Sequence, residues 1–149
     1  MPKASMRDQP YHAPDGHDRP TPSRSGRRTR WVVHLIERDP AVIDALAQSL
    51  GGDEFDLVIH QSGRALLDAL TTIRPGCLLI EFDLPDMSAL ELLLRLRDRH
   101  RSLPTVVMTA RLRDPLPPQG RPAEVTALLQ KPFGRAALLD AIMQALARL

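Results

Sequence analysis

The chain of 149 residues is long enough for one domain with a tail, and its 43% apolar share supports a single core. Only 3% of residues are aromatic, so that core must be built from Leu, Val, Ile and Ala. Charge is uneven: residues 1–30 hold seven Lys or Arg against three Asp, and the remainder holds thirteen against fifteen. A nearly neutral folded part excludes a broad nucleic-acid surface on the domain itself.

Residues 1–30 contain Pro2, Pro10, Pro14, Pro20 and Pro22 and almost no aliphatic side chains. They cannot bury enough surface to offset ordering entropy, so a disordered, basic, proline-rich leader is expected. Its run Arg24-Ser25-Gly26-Arg27-Arg28-Thr29-Arg30 could touch phosphates, but a solvated leader is the ordinary reading of such a run. Trp31-Val32-Val33-His34-Leu35-Ile36 reads as the first strand of a domain over 31–149. Asp39-Pro40 reads as an N-cap and first-turn proline. The helix that follows carries a one-sided stripe of Val42, Ile43, Leu46, Ala47 and Leu50, and Gly51-Gly52 ends it.

Phe55 to His60 is the second strand, and Ser62 caps a second helix expected from Arg64 to about Ile73. After Pro75-Gly76, the run Cys77-Leu78-Leu79-Ile80 reads as a central strand buried on both faces. It delivers Glu81 to the carboxyl edge of the sheet, where ligands of open α/β sheets bind. Ser88 caps a third helix to about Arg99, with an expected apolar face of Leu90, Leu93, Leu94 and Leu96. Pro104 to Ala110 is the fourth strand. Residues 111–123 contain Pro115, Pro117, Pro118, Gly120 and Pro122, and each interior proline costs a helix about 3 kcal/mol. The helix due at that point is therefore expected to be missing or irregular. Val125 to Leu129 is the fifth strand, and Gly134 to Arg148 the last helix. The alternation implies an α/β fold: a flavodoxin-like, doubly wound, five-stranded parallel sheet of order 2-1-3-4-5.

Four segments at this spacing resemble the receiver domain of two-component response regulators. They are Val33 to Val42 across the first strand end, Glu81 to Leu92, Thr109, and Lys131-Pro132-Phe133. The similarity covers roughly Trp31 to Leu149. In that family two adjacent acids follow the first strand, and an Asp ending the third accepts a phosphoryl group from a histidine kinase. A Mg²⁺ ion joins the acids to the phosphate, and a Thr or Ser and a Lys bind the phosphoryl oxygens. The resemblance also implies a cis bond at Lys131-Pro132.

Carried over by position, the chemistry is degenerate. Glu81 stands where the acceptor Asp belongs, Arg38 replaces the second acid, and Glu37 keeps the first acid with one more methylene. Thr109 and Lys131 match the family, whereas the switch aromatic position is Leu128. A fixed cation at Arg38 implies that Mg²⁺ binding is lost. Arg38 is expected to pair with Glu81 or Glu37, and Lys131 to reach Glu81. Glu81 moves its carboxylate about 1.5 Å from the acceptor position, a displacement that in-line transfer does not tolerate well.

The expected function is that of an atypical, stand-alone receiver acting by protein–protein interaction without phosphorylation control. Its partner would be a histidine kinase or another regulator, with homodimerisation through the family's usual faces as one mode. The expected contact surfaces are residues 111–123 with the fifth strand and last helix, or the first helix. One alternative is an unusual phosphoacceptor at Glu81 or Asp83. Another is nucleic-acid binding through the leader. No nucleophile–base set, glycine-rich phosphate loop or metal spacing among His12, His17, His34, His60 and His100 occurs, so neither an enzyme nor a metal site is expected. The single Cys77 lies in an apolar strand and points to a reducing cytosol. No run approaches the roughly 18 apolar residues of a membrane span, so the chain reads as cytoplasmic.

Overall fold

The computed structural model describes residues 30–110, 116 and 119–149. Nine elements follow in order. They are β1 (Trp31–Ile36), α1 (Pro40–Leu50), β2 (Phe55–His60), α2 (Gly63–Asp68), β3 (Cys77–Glu81), α3 (Ala89–Asp98), β4 (Thr105–Thr109), β5 (Val125–Gln130) and α4 (Arg135–Leu146). All strands run parallel in the order β2-β1-β3-β4-β5. The leader expected over 1–30 lies, except for Arg30, outside the described residues. Most of the proline-rich stretch lies outside them too, and its described part, Leu116 and 119–123, holds no helix or strand.

A parallel sheet covered by helices on both faces needs strands that are apolar throughout. The central strands meet this condition: Cys77, Leu78, Leu79, Ile80, Val106 and Val107 are wholly inaccessible. Alternation along each strand then splits the core in two. Ile36, Leu78, Ile80 and Val107 pack against Leu66 and Leu67 of α2 and Leu92, Leu93 and Leu96 of α3. Val33, Leu35, Leu79, Val106 and Met108 pack against Leu46 and Leu50 of α1 and Leu138 and Ile142 of α4.

Helix starts follow their caps. Asp39 Oδ1 accepts from Ala41 N at 2.9 Å ahead of Pro40 at the first turn. Ser62 and Ser88 accept from Ala65 N and Glu91 N. Two expectations need correction. The second helix stops at Asp68, and turns follow in which Thr72 N and Ile73 N both bond the Ala69 carbonyl. The β-branched Thr71 and Thr72 favour leaving the helix there. In α3 the buried face is Ala89, Leu92, Leu93 and Leu96, while Leu90 and Leu94 are exposed. The set 89, 92, 93 and 96 is one turn-spaced stripe, and the serine cap fixes which stripe faces inward.

Gly76 brings the chain into β3 against β1 so closely that a Cβ there would lie 2.3 Å from the Val32 carbonyl oxygen. Backbone cannot yield as a flexible side chain can. Gly76→Ala should therefore lower the urea midpoint, with a loss of about 1–3 kcal/mol, as for other overpacked core sites. An unchanged midpoint would show that β1 and β3 can separate locally.

Candidate functional site

The carboxyl ends of β1, β3, β4 and β5 converge on one edge of the sheet. Glu81 is the last residue of β3 and the first of that strand to reach solvent, half-buried after four fully buried positions. Lys131 arrives beside it from β5. Its backbone N–H donates to the Thr109 carbonyl at 2.7 Å, extending the β4–β5 ladder by one residue. From there the Lys131 ammonium forms a hydrogen-bonded ion pair with Glu81 Oε1. The following Lys131-Pro132 peptide bond is cis. Thr109 is buried at the end of β4, on the strand beside Glu81.

The β1 end is arranged differently from expectation. Glu37 turns back on its own chain: Oε1 accepts from Arg38 N at 2.9 Å and from Asp39 N at 3.0 Å. Arg38 pairs with neither Glu81 nor Glu37. Its Nε donates to the Gln61 carbonyl at 3.0 Å, across the edge toward β2. The physical reason is reach and demand. Glu37 already has two local N–H donors, Glu81 already has a cation, and the Gln61 carbonyl lies one residue past the end of β2.

Two residues not singled out from the sequence complete this edge. Asp86, in the loop after β3, accepts from Gly63 N and Arg64 N, both at 2.9 Å, and so holds the start of α2. Burial pushes the Asp86 carboxyl up, but the Arg64 and Gly63 N–H groups and the nearby Arg38 charge outweigh it and leave it below its usual range. Gln61 contributes only its carbonyl. Neither role has a local sequence signal, since the partners lie more than twenty residues away.

Small hollows of about 260 and 250 Å³ flank Glu81, one toward Met108, Thr109 and Ala110, the other toward Ile36, Glu37 and Leu84. Asp83 borders both and is exposed at the loop surface. A wider apolar groove of about 630 Å³ runs beside them, between Ala41, Ala45 and Ser49 of α1 and the Lys131-Pro132-Phe133 turn. Leu128, at the switch aromatic position, is half-buried on β5 against the α2–α3 side of the core. Among the described residues no three His, Cys, Asp or Glu side chains are grouped to hold a metal, and no helix is long and apolar enough to cross a membrane.

Comparison with known proteins agrees with this frame. Residues 33–143 match the family model for the response regulator receiver domain. The transcriptional regulatory protein FixJ of Rhizobium meliloti (strain 1021) is 31% identical over 117 residues, covering 78% of this chain and 57% of that protein. FixJ of Azorhizobium caulinodans is 34% identical over 116 residues, covering 78% of this chain and 55% of its own length. The chain thus spans little more than half of these relatives. The crystal structure of FixJ-N superposes with a TM-score of 0.71 at 30% identity, over 80% of this chain and 95% of that one. Fold, strand order and matched sequence together place this chain in the response regulator receiver domain family.

Proposed function

We propose that this receiver domain works as a phosphorylation-independent module that binds a signalling protein. The observation that carries the reading is the state of the acidic edge: Glu37, Arg38, Glu81 and Lys131 each bond a protein partner there. A hard divalent cation needs several free carboxylate or carbonyl oxygens. Here Glu37 Oε1 accepts two backbone N–H groups, Glu81 Oε1 is paired with Lys131, and a guanidinium occupies the second acid position. This donor set does not suit Mg²⁺, and no phosphotransfer step is derived through one.

Arg38 then takes over part of what a metal does for neighbouring loops. It ties the β1–α1 turn to Gln61, and its charge faces Asp86, which clamps α2. Three loops are thus joined without an ion. The apolar groove beside α1 supports the first helix and the Lys131-Pro132-Phe133 turn as a docking face for a kinase or another regulator. Residues 31–149 form the working domain on this reading, in the cytoplasm, with no catalysis of its own.

Amide NMR of the intact chain, titrated with Mg²⁺ and then beryllofluoride, tests the proposal. The wild type should show no saturable shifts at residues 37, 81, 109 and 131. The double variant Arg38→Asp/Glu81→Asp should show them. Saturable wild-type shifts would sink the reading and point to Glu81 or Asp83 as a working acceptor.

The Arg38–Gln61 bond makes a separate prediction. Arg38→Ala should speed hydrogen exchange at Gly63 and Arg64 by about threefold to tenfold, the scale of one exposed charge-assisted contact. Exchange at β4 amides should not change.

A further inference from the structure

One polar cluster lies away from this edge, inside the core. His34 of β1 and His60 of β2 are both buried, at 1% and 8% exposure. Their rings face each other with Nδ1 of His34 and Nε2 of His60 3.1 Å apart. His34 Nε2 lies 2.8 Å from the Arg74 carbonyl oxygen. A carbonyl only accepts, so His34 carries its proton on Nε2, and its Nδ1 is an acceptor. His60 must then donate from Nε2. The neutral pair therefore has one fixed tautomer arrangement.

We propose that this pair is a proton-sensitive latch on α2: it keeps its hydrogen bonds with one added proton and breaks on the second. A single proton on His60 leaves both existing bonds in place. Two protons put N–H against N–H across 3.1 Å, between two cations.

The pair grips both ends of one unit. His60 is followed directly by Gln61 and by Ser62, the cap of α2. Arg74 lies in the segment that leads from α2 to β3. Residues 61–76 are thus pinned at entry by His60 and at exit by the Arg74 carbonyl. Between these pins α2 has only six residues, too few to be stable alone. Such a short unit is a natural site for local opening.

The surroundings offer the added charge little. On the same face lie Val32, Ile36 and Val58, the β3 side chains Leu78 and Ile80, and Leu66 and Leu67 of α2. The Arg74 charge opposes a proton on His34, and Arg74 bonds Asp56 at 3.2 Å, which also pairs with Arg30 at 3.2 Å. On α2, Arg64 and Asp68 pair with each other in solvent. Among the described residues no carboxylate bonds either ring. Burial accordingly pushes both imidazoles below their ordinary range, His60 to about 4 with His34 as the second cause. An opened segment regains ordinary imidazoles titrating near 6.5. The closed unit is therefore fully held above about pH 6.5 and loses hold as pH falls toward the folded values.

Hydrogen exchange of the full chain, corrected for intrinsic rates, tests this between about pH 7.5 and about pH 5. Protection over residues 61–76 should fall about tenfold or more, while β3 and β4 keep theirs. His60→Gln and His34→Gln each retain hydrogen-bonding capacity with one ionisable ring fewer, and each should make the fall about threefold or more smaller than in the wild type, the remaining buried ring accounting for the rest. Constant wild-type protection would overturn the proposal. So would a loss shared equally by β3 and β4, which is global acid unfolding, or a fall that is as large in both variants as in the wild type. The wild-type result decides alone if neither variant folds.

Discussion

A carboxylate at the end of a strand buried on both faces must find a cation or leave the interior. That constraint shapes the carboxyl edge of this sheet. Glu81 cannot retreat, because Cys77 to Ile80 are packed from both sides and fix where β3 ends. Desolvating it without a partner would be costly. Lys131 supplies the partner, and its position depends in turn on β5 being held to β4 as far as the Thr109 carbonyl. The sheet register therefore sets the ion pair, and the ion pair closes the site.

Closing the site by protein contacts differs in kind from closing it with a metal. A divalent ion gathers carboxylates from any loop that can reach it, and the gathering is reversible with ion and phosphoryl group. A guanidinium bonded to a loop carbonyl is directional, and its charge does not come and go with a ligand. Arg38 on Gln61, with Asp86 clamping the first N–H groups of α2, is an arrangement of the second kind. On the proposed reading it gives the loops order without giving them an alternative state.

The parts legible in the sequence were those with one-dimensional signatures. Apolar runs bounded by Gly and Pro marked β1, β3 and β4, because a parallel sheet hides both faces of its strands. Glu81 was legible because it sits where an apolar run stops, and its pairing with Lys131 came from the resemblance to receiver domains, carried over by position. Asp39, Ser62 and Ser88 announced their helices through local capping. The inward face of α3 was not legible, since Leu90, Leu92, Leu93, Leu94 and Leu96 surround the helix and only three of them are buried. Nor was the destination of Arg38, which needed Gln61 from another loop. The meeting of His34 with His60 was hidden for the same reason: it follows from β1–β2 register, and the two histidines look unrelated in the chain.

A switch requires a ligand that binds its two states with different affinity, and the shift can be no larger than that difference. On the proposed reading, the acidic edge has no such ligand, so no free energy is available there to move the domain between two forms. The fold would then present one surface at all times, and partner occupancy would follow concentration and affinity alone. The apolar groove beside α1 is consistent with such a role, because it borders the Lys131 turn that the ion pair holds in place. What a phosphorylatable receiver gains by ordering this turn on demand, this chain would have built in through the Glu81–Lys131 pair.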